Sequence, residues 1–136
     1  MEGQHSYQSI SHDIKVSATP YLVPERSDPE KNKFYYAYHI QFTNEGEQSM
    51  QLLRRFWRIR MGHMEEVSEG PGVVGVTPTL APGESFDYTS FCPLNTPFGN
   101  MRGHYLFKDE NGQKYRVEIP LFFLRPNAPL AEITAE

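Results

Sequence analysis

From position 33 the chain alternates between polar and apolar residues. In KFYYAYHIQFTN the residues Phe34, Tyr36, Tyr38, Ile40 and Phe42 recur at every second position. Side chains of a strand point to opposite faces with a period of two, so these share one face, which is assigned to the core. His39 falls on the other face. The next segment, MQLLRRFWRIRM, repeats the pattern. Leu53, Trp57, Ile59 and Met61 line one face, and Arg54, Phe56, Arg58 and Arg60 the other. Arg55 then lands on the apolar side, where a guanidinium needs a partner or an edge position.

The same period recurs along the chain. Residues 12–19 (HDIKVSAT) put Ile14, Val16 and Ala18 together. After LAPGES, a turn centred on Pro82-Gly83, Phe86 and Tyr88 point inward. NMRGHYLFK aligns Met101, Gly103, Tyr105 and Phe107, and after the DENG turn KYRVEIPLFF aligns Tyr115, Val117, Ile119 and Leu121. NEGEQ and TPFGN are further turns. PYLVPERSDPEKN, residues 20–32, is proline-rich and charged and reads as a long exposed loop. No segment carries sustained 3.6-residue periodicity. About seven strands at regular spacing predict an all-β fold, an immunoglobulin-like β-sandwich of fibronectin type III type. The chain reads as one domain over residues 1–136, with a core at about 12–124 and flanking tails at 1–11 and 125–136. The second tail, RPNAPLAEITAE, reads as extended or frayed.

Composition narrows the class. With 136 residues, 38% hydrophobic and 22% charged, the chain can bury a core without metal or disulfides. The 13% aromatic content suits strands. The one cysteine, Cys92, excludes an internal disulfide. The N-terminal residues MEGQHSYQSISHD lack the apolar segment of a secretory signal, and no apolar run reaches membrane-spanning length. A cytoplasmic protein without membrane insertion is expected. The net charge of −4 speaks against nucleic acid as a general partner.

Candidate chemistry is sparse. EGPGVVG places Gly70, Gly72 and Gly75 at the G-x-G-x-x-G spacing of dinucleotide-binding loops. That fingerprint works only between a strand and a helix whose N-terminus faces the phosphates. Here VTPTLAPG follows, whose prolines forbid such a helix, so the favoured reading is a tight loop needing close backbone approach. The alternative is a small anion nest of backbone amides for a phosphate or a dinucleotide polyphosphate. His63 and Glu65 lie close together and are the weak candidates for a divalent-metal site. A solvated acidic loop is the simpler reading. Arg54, Phe56, Arg58 and Arg60 form a basic stripe around an aromatic, fit for an acidic partner segment or a phosphate. The plain alternative pairs these arginines with acidic cross-strand neighbours such as Glu118. No nucleophile stands beside a base in any recognisable motif, so no catalytic residue is assigned and no cofactor is expected.

The run GPGVVGVTPTLAPGESFDYTS, followed by TPFGNMRGHY and DENGQKYRVEIPLFFL, resembles the bacterial ApaG family, as does RRFWRI. The similarity extends from about Ile14 to Leu124. It implies a fibronectin type III-like sandwich. It also implies an association with cobalt resistance and magnesium efflux, and recognition of protein partners, as for the same domain in certain eukaryotic F-box proteins. For the family, the glycine motif carries the expectation of a nucleotide or pyrophosphate ligand. The expected function is therefore a non-enzymatic protein-binding module, accessory to Co²⁺ resistance and Mg²⁺ efflux. Its partner is an unidentified protein, and its sheet edges could also pair two copies into a homodimer.

Overall fold

The computed structural model describes residues 5–126. Its strands are β1 (Tyr7–Ser11), β2 (Ile14–Leu22), β3 (Phe34–Asn44), β4 (Met50–Met61), β5 (Met64–Pro71), β6 (Thr79–Leu80), β7 (Ser85–Leu94), β8 (Gly99–Lys108) and β9 (Lys114–Leu124). They form two antiparallel sheets, ordered β1-β2-β3-β7 and β5-β4-β8-β9, with β6 added to β4. This is the expected β-sandwich. Among the described residues no helix is long and apolar enough to cross a membrane.

The alternating faces of β3 and β8 meet between the sheets. Tyr36, Ile40, Phe42, Tyr105 and Phe107 are fully buried, with Tyr38 and Trp57 nearly so. Trp57 stands perpendicular to Phe122 at 5.9 Å and edge-on to Tyr38 at 5.3 Å, the geometry aromatic quadrupoles favour. Asp109 anchors the turn after β8, its Oδ1 accepting the amides of Asn111 and Gln113.

Several expectations are corrected. Leu53 was assigned to the core, but the pairing of β4 with β8 shifts register between Leu52 and Arg54. The bulge makes Leu52 the fully buried residue and leaves Leu53 half-buried. A second shift, between β8 and β9, turns Leu121 outward, 43% exposed, and buries Phe122 instead. Residues 20–32 are less loop than expected. β2 continues through Pro20 to Leu22, past the end of its pairing with β1, and two 3-10 turns follow.

The N-terminal residues expected as a tail contribute β1. Its polar side does the packing: Ser9 Oγ donates to the Glu118 carbonyl, and Ser11 Oγ accepts the Glu118 amide, both at 2.9 Å. These bonds stitch the first sheet to β9 and close one side of the sandwich. The opposite side, between edge strands β5 and β7, is open. Most of the C-terminal tail, residues 127–136, lies outside the described residues.

Candidate functional site

Strand pairing turns the basic stripe of β4 into a two-dimensional face. Across the sheet, Glu69, Phe56, His104 and Glu118 form one row. The next row toward the C-terminal end of β4 is Val67, Arg58 and Arg102, and the next is Glu65, Arg60, Asn100 and Phe123. On the other side lie Pro71, Arg54, Leu106 and Arg116. The structure thus brings together Arg54, Phe56, Arg58 and Arg60 and adds Arg102, His104 and Arg116 to them. A shallow groove of about 690 Å³ runs between Arg58, Arg102, Arg116 and His104.

The centre of this face is an aromatic pair. Phe56 stacks on His104 with ring centroids 5.0 Å apart and an interplanar angle of 22°. His104 Nδ1 is buried and has no hydrogen-bond partner among the described residues. Burial, reinforced by the nearby Arg116 charge, lowers the His104 pKa below 6.5, so the ring is neutral at pH 7. The unfolded chain then binds the extra proton first as pH falls. Stability is expected to be flat above about pH 6.5 and to decline below it, and urea titrations of His104→Gln should show less of this decline.

The charges are only partly matched. Arg58 Nε lies 4.0 Å from Glu65, at the limit of an ion pair. Glu118, the expected partner of the β4 arginines, bonds instead to Arg116 on its own strand at 2.6 Å. Arg54, Arg60 and Arg102 form no ion pair among the described residues. Arg58 and Arg102 are directly opposite each other on β4 and β8. Like charges in that position repel.

The glycine motif forms the end of β5 and a tight hairpin. Val73 and Val76 exchange both backbone hydrogen bonds at 2.9 Å, and Gly72 N–H donates to the Leu53 carbonyl. The amides of Gly72, Val73 and Val76 are therefore spent on the fold. Each glycine has a separate role. At Gly72 the backbone has φ +62°, and a Cβ would stand 2.3 Å from the Val76 carbonyl oxygen. Gly75 has φ +85° with open space around it, and a Cβ on Gly70 would press to 3.2 Å against Arg55 Nη2. Arg55 finds here the partner its sequence position demanded: Nη1 donates to the carbonyls of Pro71 and Gly72, at 2.9 and 3.0 Å.

The remaining candidates do not converge. His63 sits in the β4–β5 turn, and Glu65 faces Arg58 on the outer sheet surface. Among the described residues no three histidine, cysteine or acidic side chains cluster to hold a metal. His39 lies on the outer side of the first sheet, bonded to Thr89 and Asp87, far in the topology from His104. Cys92 is buried, which pushes its thiol up to about 12 and leaves it without thiolate character.

The surface missed from sequence is the open side of the sandwich. A cleft of about 350 Å³ enters between the sheets there, with Trp57, Ile59 and Met101 inside and Val74 at its rim. The signal available was Arg55 itself, a charge on an inward-facing position.

Comparisons with known proteins converge on one family. A family model described as the ApaG domain matches residues 24–109. A protein named ApaG from Xanthobacter autotrophicus is 47% identical over 120 residues, covering 87% of this chain and 92% of that one. The ApaG protein of Mesorhizobium japonicum is 42% identical with the same coverage. Among solved structures, the ApaA protein from Bordetella pertussis superposes with a TM-score of 0.82 at 46% identity, covering 84% of this chain and 94% of that one.

Proposed function

The chain belongs to the ApaG family, and from that premise we propose that it is a cytoplasmic, non-catalytic module that recognises a protein partner through the outer face of β4 and β8. The observation that carries this reading is Arg58 set directly against Arg102. Although Glu65, Glu69 and Glu118 share this face, none lies within ion-pair distance of Arg54, Arg60 or Arg102 among the described residues, so positive charge is left unmatched there. An acidic partner segment would relieve the repulsion and take up the free guanidinium donors of Arg54, Arg60 and Arg102. The exposed apolar residues Val67, Leu121 and Phe123 border the same face and suit a protein segment with apolar side chains. A partner bound there would connect the module to cobalt resistance and magnesium efflux as an accessory, without metal on the module itself.

The reading makes stability and function antagonistic at one residue. Arg102→Glu should turn a repulsive cross-strand pair into an attractive one and raise stability by about 0.2–1 kcal/mol, seen as a higher melting temperature. The same variant should fail to restore cobalt tolerance in cells lacking the protein. A variant that is less stable, or stable and fully active, would contradict the reading.

A further inference from the structure

The open side of the sandwich holds a second surface, distinct from the basic face. We propose that the cleft between the sheets, beneath the Val73–Val76 hairpin, is a binding site for a small, flat, apolar monocarboxylate held by Arg55.

The lining sets the chemistry. Among the described residues that line the cleft Arg55 is the only charged one, and outside the lining the Glu66 carboxylate is close enough to raise the Cys92 thiol. Half of its guanidinium is engaged: Nη1 bonds the Pro71 and Gly72 carbonyls. Nε and Nη2 make no hydrogen bond among the described residues. A guanidinium presents paired donors in a plane that matches a carboxylate. The rest of the lining is uncharged and mixed: Trp57, Ile59 and Met101 form an apolar wall, and Ser68 and Ser90 add hydroxyls. The phenols of Tyr38 and Tyr88 also line the cleft, and burial raises both pKa values, so they are neutral there.

Size and amide use argue against a polyphosphate. At about 350 Å³ the cleft lies near the lower end of the range for small-molecule pockets. The hairpin amides of Gly72, Val73 and Val76 already donate to backbone carbonyls and cannot cradle phosphates. One fixed positive charge beside the Trp57, Ile59 and Met101 wall matches a ligand with one negative charge and a flat apolar body.

The rim of the cleft carries an exposed apolar side chain. Val74, at the rim, is 58% exposed. Val74 holds φ +42°, a left-handed backbone that a β-branched residue rarely adopts. The two-residue turn between Val73 and Val76 imposes this conformation, as it does on Gly75, and so holds the Val74 side chain out over the rim. A ligand entering past the hairpin would cover Val74.

The test uses the chain's single tryptophan, whose indole N–H gives one resonance that reports on the cleft. The full-length protein is titrated with 2-naphthoate, with the neutral 2-naphthamide, and with pyrophosphate. A saturable shift of the Trp57 signal is expected with naphthoate. Binding of the amide, and of naphthoate to Arg55→Gln, should be weaker by roughly tenfold or more, the loss expected for a charge-assisted hydrogen bond. Arg55→Gln also frees the hairpin carbonyls, so Val74→Asp serves as a second variant. Aspartate tolerates the left-handed backbone better than valine and places a like charge at the mouth. It should fold normally and weaken naphthoate several-fold while sparing the amide. Equal affinity for acid and amide, no saturable shift at millimolar ligand, or a response to pyrophosphate alone would overturn the proposal.

Discussion

Gly103→Ala is expected to cost about 3 kcal/mol, the upper end of the usual cost of overpacking, and to lower the urea midpoint accordingly. On most strand positions the same change stiffens the unfolded chain and helps. At Gly103 a Cβ would lie 1.9 Å from the Phe56 carbonyl oxygen and 3.1 Å from the Trp57 Cα. Both are backbone atoms of β4, so no side-chain rotation relieves the overlap. The strands themselves must separate, and β4 and β8 are the central pair of the second sheet. Trp57 sits directly opposite Gly103 in the register. Separation would therefore also loosen the indole from Tyr38 and Phe122. With a whole domain stable by only about 5–15 kcal/mol, a loss of this size is a large fraction. An unchanged or higher midpoint would show that the approach of β8 to β4 is looser than described.

The second large effect is at Gly72. Alanine there meets two penalties: a left-handed backbone, worth about 1–2 kcal/mol, and a backbone oxygen at 2.3 Å. The overlap is with Val76, so the Val73–Val76 hairpin must open, and the Gly72 carbonyl that Arg55 holds moves with it. A total loss of about 2–3 kcal/mol is expected, with Gly75→Ala costing only about 1 kcal/mol because nothing stands near its Cβ. Thermal melts of the two variants give the ordering. If the glycines instead served a phosphate cradle, Gly72→Ala would leave stability intact and remove ligand binding. A stable Gly72→Ala would thus defeat the structural account of the motif.

These two glycines show where the sequence was readable. Gly103 fell on the inward face with Met101, Tyr105 and Phe107 by simple alternation, but its contact with β4 depends on a register that no local pattern specifies. The parity of β3 carried through from Tyr36 to Phe42 because that strand has no irregularity. On β4 and β9 one extra residue inverted the parity, so Leu53 and Leu121 were assigned to the core in place of Leu52 and Phe122. β1 was hidden because its exposed member is Ile10, at 62%, while Ser9 and Ser11 turn to β9 and bond its backbone. β5 was hidden because Met64 to Glu69 are all exposed, so an edge strand resembles an acidic loop.

The candidate site divides in the same way. Arg54, Phe56, Arg58 and Arg60 are visible as a stripe on one strand. The opposition of Arg58 to Arg102, and the stacking of Phe56 on His104, exist only once β4 and β8 are paired. Arg55, a charge at an inward-facing position, needs a partner, and the carbonyls of Pro71 and Gly72 supply it. That link between strand and motif also frames the cleft on the open side of the sandwich.

On the proposed reading the outer face of β4 and β8 contacts a protein partner. The most direct measurement places a photo-crosslinking amino acid at Arg60, within that face, and separately at Gln41, on the outer face of the first sheet. Both variants are irradiated in growing cells. A discrete protein adduct is expected from position 60, none from position 41, and loss of the position-60 adduct when Arg58→Glu and Arg102→Glu are added. An adduct from position 41 alone, or one from position 60 that persists at full yield after the two charge reversals, would contradict it.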